Sequence, residues 1–210
     1  MIVWVNAGHN FKDTGAIWGA LKENEITMKI RDALKDKIAE YGAIYIDDSL
    51  DLAKTIEVIN RDAGSDDFAI DIHINFNKDE SLRGVEAYYV DNPRYAEIFS
   101  RKVAETVGIP NRGPKPDSMS YFGYLGFLRK LKCPSVIVEC FYISNLQDRL
   151  IYLEKEVEPF ALGIKNALDT LFKNDAEAIK KLTEVKISLL QQILSALRDK
   201  LNKLLNNNKI

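Results

Sequence analysis

The feature that most limits what this chain can fold into is a rhythm. Apolar runs of strand length alternate with stretches whose apolar residues recur every three or four positions. Met1–Ala7, Ala43–Asp47, Phe68–His73, Gly84–Val90 and Pro134–Glu139 are runs rich in Val, Ile and aromatic residues, the composition of strands. Between them lie helical periods. Ile26, Ile30, Leu34 and Ile38 predict a helix over Glu23–Tyr41, ended by Gly42. Leu52, Ile56 and Ile59 mark a second helix over Leu50–Arg61, and Asn92–Val107 a third, with Pro93 in its first turn. Leu146–Phe172 reads as a helix in two pieces around Pro159. Asn111–Gly126 reads as a long loop of the kind that carries function, and Phe127–Leu131 as a short strand or a helical turn. Strand and helix in alternation imply an α/β fold with a largely parallel sheet and helices on both faces. The near-continuous apolar runs Phe68–His73 and Pro134–Glu139 are those of strands covered on both sides. A run that starts at residue 1 or 2 belongs inside that sheet.

The C-terminal stretch obeys another rule. Ile187, Leu190, Leu194, Leu197, Leu201 and Leu204 are spaced three and four apart in turn, a heptad seam, and Leu182, Leu189 and Ile193 widen it. The chain is therefore expected to divide into a domain over 1–172 and an amphipathic, coiled-coil-like helix over 173–210. Lys173–Asp175 would be the hinge, with Asp175 as N-cap. So apolar a helix must be covered, by copies of itself or by the body. Self-association through 175–206 is the favoured expectation. A membrane-surface helix is disfavoured, because its apolar side lacks Trp and Phe.

Charge narrows the partners. Of 29 Lys and Arg and 31 Asp and Glu in the 210 residues, 8 basic and 4 acidic ones lie beyond Phe172. The body is thus acidic and lacks the basic face that nucleic acid requires. No stretch approaches the roughly 18 apolar residues of a membrane span, so no membrane insertion is expected. The N-terminus lacks the basic region of a secretory signal, so the chain is expected in the cytoplasm until released. Cys133 and Cys140 flank the Pro134–Glu139 run and read as small buried apolar residues rather than a disulfide framework.

The chemistry-bearing residues are few. The two histidines, His9 and His73, each end a strand-like run, and Glu139 ends another. Open α/β sheets bind ligands beyond the C-terminal ends of their strands. Two histidines there could be two ligands of a catalytic zinc, with a carboxylate as the third; Asp13, Glu23, Glu25 and Asp71 are the candidates. Such a metal lowers the pKa of water to about 7 and polarises a carbonyl. A further carboxylate that is not a ligand would carry the proton to the leaving nitrogen, and Glu139, after an apolar strand, fits that task. Taken singly, His9 could be a capped strand end, His73 a core histidine, Glu23 a first-turn acid and Glu139 a structural acceptor. The His-Glu-x-x-His helix of many zinc proteases is missing.

Order and context add to this. The blocks Ala7-Gly8-His9, Asp13-Thr-Gly15-Ala16, Leu21-Lys-Glu23, Ile72-His73-Ile-Asn75, Gly84-Val-Glu86, Asn111-Arg112-Gly113, Pro134–Glu139 and Ile143-Ser144-Asn145 with Asp148 follow one another over residues 1–172. As a set this resembles the zinc-dependent N-acetylmuramoyl-L-alanine amidases, the family of bacterial autolysins and phage endolysins. The resemblance implies a central six-stranded sheet and one Zn²⁺ per chain, held by His9, Glu23 and His73. It also implies Glu139 as the catalytic carboxylate, and hydrolysis of the amide between N-acetylmuramic acid and L-alanine in peptidoglycan. Three positions depart from the family pattern. Asn10-Phe11 replaces a usual Gly-Gly, Asp71 a usual Ser, and Phe141 a usual Gly. They bear on loop shape and substrate fit; Asp71 could orient a metal ligand or be a buried structural acid. The alternative activities are another zinc amide hydrolase, or a wall-binding protein that keeps the fold without catalysis.

Overall fold

A computed structural model describes the backbone of residues 1–207, with side chains through Lys173 and at scattered positions beyond. Among the described residues the strands are β1 (Val3–Ala7), β2 (Ile17–Trp18), β3 (Leu21–Lys22), β4 (Ile44–Tyr45), β5 (Phe68–Asn75), β6 (Val85–Tyr89), β7 (Asn111–Pro116) and β8 (Ser135–Tyr142). The α-helices are α1 (Glu23–Leu34), α2 (Leu52–Asp62), α3 (Pro93–Val107), α4 (Gly126–Lys130), α5 (Leu146–Lys155) and α6 (Glu158–Asn207). One sheet of six strands runs β4-β1-β5-β8-β6-β7. The strands β4, β1, β5 and β8 are parallel, β6 is antiparallel to β8, and β7 is parallel to β6. The reversal at β6 follows from its connection. Residues 76–84 join β5 to β6 without a helix, and a parallel crossover needs a dozen residues or more.

The central strands are buried as their composition demands: Val3, Val5, Ile70, Ile72, Val136 and Val138 have no accessible surface. Alternation of side chains sorts β5 and β8 into two faces. Trp4, Ala69, Ile137 and Tyr88 form one apolar cluster with Ile59 of α2 and with Phe127 and Leu128 of α4. Following the same face along each strand leads to Asp71, His73 and Asn75 on β5, to Glu139 on β8 and to Glu86 on β6. The residues with chemistry therefore continue a packed row rather than hang from loops.

Helix starts match their caps. Asp51 accepts from Lys54 N at 2.8 Å, Asn92 from Arg94 N at 3.0 Å and Asn145 from Asp148 N at 3.0 Å.

Several expectations are corrected. The helix from Glu23 stops at Leu34 and passes through two 3₁₀ turns, Lys35–Lys37 and Ala39–Tyr41, before Gly42; Ile38 stays fully buried, so the apolar period outlasts the α-helix. Leu52 opens α2 half exposed instead of sharing the buried side with Ile56 and Ile59. The expected loop over 111–126 begins with strand β7. Pro114 and Pro116 mask it in the sequence, yet lie two apart, so their missing N–H groups point the same way. An edge strand tolerates that on its outer side. Helix α6 runs unbroken through Lys173–Asp175, where no Gly or Pro forces the stop expected there.

The chain divides into a compact unit over Met1–Leu168 and a second over Asp169–Ile210. In the second, Ile187, Leu190 and Leu194 are exposed at 51%, 58% and 64%. The side chains of Leu182, Leu189, Ile193, Leu197, Leu201 and Leu204 lie outside the described residues. Among the described residues, no helix is long and apolar enough to cross a membrane.

Candidate functional site

The site grows out of the C-terminal ends of β1 and β5 and the start of α1. Strand β1 ends at Ala7. Two residues on, His9 adopts a left-handed backbone (φ 68°), uncommon for a residue with a side chain and found most often where function requires it. Its Nε2 lies 3.1 Å from Glu23 Oε2 and its Nδ1 2.9 Å from Asp13 Oδ2. His73, on β5, mirrors this: Nδ1 lies 3.0 Å from Glu23 Oε1 and Nε2 3.1 Å from Asp71 Oδ2. The two rings stand edge to face with centroids 5.1 Å apart.

Glu23 is the first residue of α1, where backbone N–H groups favour an anion. The β2–β3 hairpin delivers it there, and Arg149 lies 4.6 Å from the Trp18 ring to clamp that hairpin. Its carboxylate also accepts from Ala16 N and Ile74 N, both at 2.9 Å. Burial alone would raise the Glu23 pKa; the two imidazoles outweigh it and hold the carboxyl far below its usual range. Burial depresses His9 and His73, but their carboxylate partners win and raise both. The carboxylate and the two imidazoles thus favour each other's charged forms.

One atom from each of His9, Glu23 and His73 falls within 4.8 Å of the others. The donor set, two imidazoles and a carboxylate, is that of a catalytic zinc site with a position to spare. Each imidazole turns its second nitrogen to a carboxylate, Asp13 or Asp71, which fixes ring and tautomer as outer partners of metal ligands do. The cradle is also sterically specific. A Cβ on Gly8 would come 2.6 Å from the His73 ring, and one on Gly15 2.5 Å from both Glu23 and His9. The residues present fit a metal ion.

Glu139 pairs in register with His73 across β5 and β8, and with Glu86 across β8 and β6. It is not a strand tip. Neither is His73: β5 runs on to Asn75 and β8 to Tyr142, because Ile74 and Cys140–Tyr142 are still buried and Asn75 pairs with Tyr142. Among the described residues, Glu139 Oε2 is buried without a hydrogen-bond partner. Burial first, then the nearby Glu23, Glu86 and Asp71 charges, push its pKa up to about 8 against the pull of His73.

The structure thus brings His9, Glu23 and His73 together and sets Glu139 beside them. The other two candidate ligands with a place near the site, Asp13 and Asp71, stand behind the histidines, and Asp71 also accepts from Asn6 Nδ2 at 2.7 Å. Glu25 is exposed and pairs with Lys22 at 2.8 Å. Sequence reasoning missed any role for Glu86 and Arg112. The only signal was their place in the ordered blocks. Cys133 and Cys140 are buried free thiols.

Comparison with known proteins gives a consistent result. The profile of the N-acetylmuramoyl-L-alanine amidase family matches residues 3–170. The N-acetylmuramoyl-L-alanine amidase LytC of Bacillus subtilis (strain 168) is 30% identical over 155 residues, covering 70% of this chain and 30% of LytC. The endolysin of Bacillus phage SPP1 is 27% identical over 199 residues, covering 86% of this chain and 70% of the endolysin. The chain thus spans less than a third of LytC. The structure of the amidase AmiC2 of Nostoc punctiforme superposes with a TM-score of 0.72 at 23% identity, covering 82% of this chain and 97% of that one, a likeness of fold.

Proposed function

Since this chain belongs to the N-acetylmuramoyl-L-alanine amidase family, we propose that it cleaves the amide between the lactyl group of N-acetylmuramic acid and L-alanine in peptidoglycan, using one zinc ion. The observation that carries the reading is one juxtaposition. Three ligand atoms of His9, Glu23 and His73 lie within 4.8 Å, and the unpartnered acid Glu139 stands on the next strand.

His9, Glu23 and His73 would hold the ion. When bound there, zinc supplies a Lewis acid and lowers the pKa of water towards 7. Asp13 and Asp71 keep the two rings aimed. Glu139 takes a proton from the attacking water and hands it to the departing nitrogen of alanine. Burial raises its pKa from the ordinary carboxyl value towards neutrality, the range in which one carboxyl can both accept and return a proton. An unactivated amide needs this last step, because its nitrogen leaves only once protonated.

Residues 1–172 are the catalytic part in this reading, and 173–210 carries the helix through which copies associate. The exposed Ile187, Leu190 and Leu194 support that, since they sit three and four apart on one helix face. Several heads on one assembly would hold a polymeric wall by avidity, which fits lysis of the endolysin kind.

The test is digestion of purified peptidoglycan with zinc-loaded protein, alongside metal analysis. New L-alanine amino termini without new reducing sugar are expected. Zinc-loaded protein that binds wall and releases neither would leave the chain a binder that keeps the fold.

A further inference from the structure

Glu86 and Arg112 have no part in the chemistry above, yet two irregularities of the sheet are spent on bringing them to the site. The β6–β7 register passes from Val85 opposite Asn111 to Glu86 opposite Gly113, which leaves Arg112 as the extra residue. The β5–β8 register passes from His73 opposite Glu139 to Asn75 opposite Tyr142, another bulge. Bulges re-aim side chains and gather beside active sites. Here they turn Arg112 onto Glu86 and place the Tyr142 ring 5.5 Å from its guanidinium. Glu86 is buried at 4% exposure. It accepts from Arg112 Nε and, at 3.2 Å, from Asn75 Nδ2.

A buried ion pair is weak evidence of stabilisation; what this one does is fix a direction. With Nε tied to Glu86 and the Tyr142 ring 5.5 Å from the guanidinium, the four N–H donors of the Arg112 terminal amino groups are more than the neighbouring Tyr142 hydroxyl can take. The side chain is 30% exposed. His73, Glu139 and Glu86 occupy one row on one face of three adjacent strands. At about 4.8 Å per strand, Glu86 and its arginine lie about 10 Å along the sheet from His73. An extended peptide covers that in two or three residues at about 3.5 Å each.

Resting on the amidase reading, we propose that Arg112 is a specificity-determining residue: it receives a carboxylate on the peptide side of the substrate, two or three residues beyond the cleaved amide. The planar guanidinium matches a carboxylate bidentately, which a carboxamide cannot reproduce. In a row that otherwise holds two acidic side chains, it is also the group that makes an anion welcome.

The experiment compares two soluble muropeptides that differ only at that acid, one a free carboxylate and one a carboxamide. For the wild-type protein, kcat/KM is expected to favour the carboxylate by about tenfold or more, expressed in KM rather than kcat. Arg112→Gln should collapse that ratio, and Arg112→Lys should restore only part of it, because an ammonium keeps the charge and loses the fork. Equal rates on both substrates for wild type, or an equal loss on both in Arg112→Gln, would show that Arg112 only neutralises Glu86 and would overturn the proposal. Calorimetric binding of the same two peptides to Glu139→Gln reads the preference without turnover. A preference there, together with wild-type zinc-loaded protein that cleaves neither peptide, would sustain the Arg112 assignment and sink the amidase reading; no preference there sinks the assignment.

Discussion

Replacing Glu139 by Gln should make the metal-free protein more stable at neutral pH while abolishing hydrolysis. The carboxyl is buried, lacks a partner for Oε2, and is raised from 4.5 to about 8. Between those two values the folded protein holds a proton that the unfolded chain has released. Stability contributed by the protonated group is complete below pH 4.5 and drains away as pH rises through 8. At about 1.4 kcal/mol per pH unit, the loss by pH 7 is about 3 kcal/mol, and about 5 kcal/mol once pH exceeds 8. Gln is uncharged at every pH and escapes that loss. The wild-type and Glu139→Gln proteins should therefore melt together near pH 4.5 and separate as pH rises. At neutrality the gap should be on the order of 10 °C, at roughly 2–4 °C per kcal/mol for a domain of this size. Thermal melts in the presence of chelator, at pH 5, 6, 7 and 8, measure it. Added zinc should narrow the gap, because a nearby cation favours the carboxylate. A gap that does not grow with pH, or a variant less stable than wild type at pH 8, would mean that Glu139 is ionised and satisfied in the folded protein. The reasoning about its role as proton carrier would then fail.

Three further outcomes are expected. His73→Ala removes a ligand atom and leaves Glu23 with one imidazole, so equilibrium dialysis should find zinc affinity down by a hundredfold or more; wild-type stoichiometry at micromolar zinc would contradict the ligand assignment. Gly15→Ala puts a methyl 2.5 Å from both Glu23 and His9 at a residue with φ +63°, and should weaken zinc binding while circular dichroism still shows the fold; unchanged affinity would mean that the cradle has slack. The double substitution Leu190→Lys with Leu194→Lys, on exposed positions of α6, should convert an oligomer into a monomer in sedimentation and slow lysis of insoluble wall more than cleavage of soluble muropeptides. A wild-type protein that already sediments as a monomer at tens of micromolar would end the self-association reading.

Much of this molecule follows from local physics that the sequence carries openly. Alternating apolar periods fixed strands and helices and their α/β arrangement, because burial of one face or two leaves a mark every second or every third to fourth residue. Asn92 with Pro93 marks where a helix begins, because the first N–H groups of a helix need an acceptor close in the chain. Other features depended on residues far apart along the chain. A helix-free link of residues 76–84 allowed β6 to run backwards, and the prolines of β7 are legible only once that strand is known to lie at the edge. His73 and Glu139 read as strand tips in one dimension, and in three they are interior residues facing each other. The pairing of Asp13 with His9 and of Asp71 with His73, and the two bulges that turn Arg112 and Tyr142 onto Glu86, leave no periodic trace. Register is a relation between strands, and a one-residue slip would send Asp71, His73, Glu86 and Glu139 to the opposite face of the sheet. The kinds of residue available for chemistry were set by the chain itself; which of them meet was decided by how the strands align.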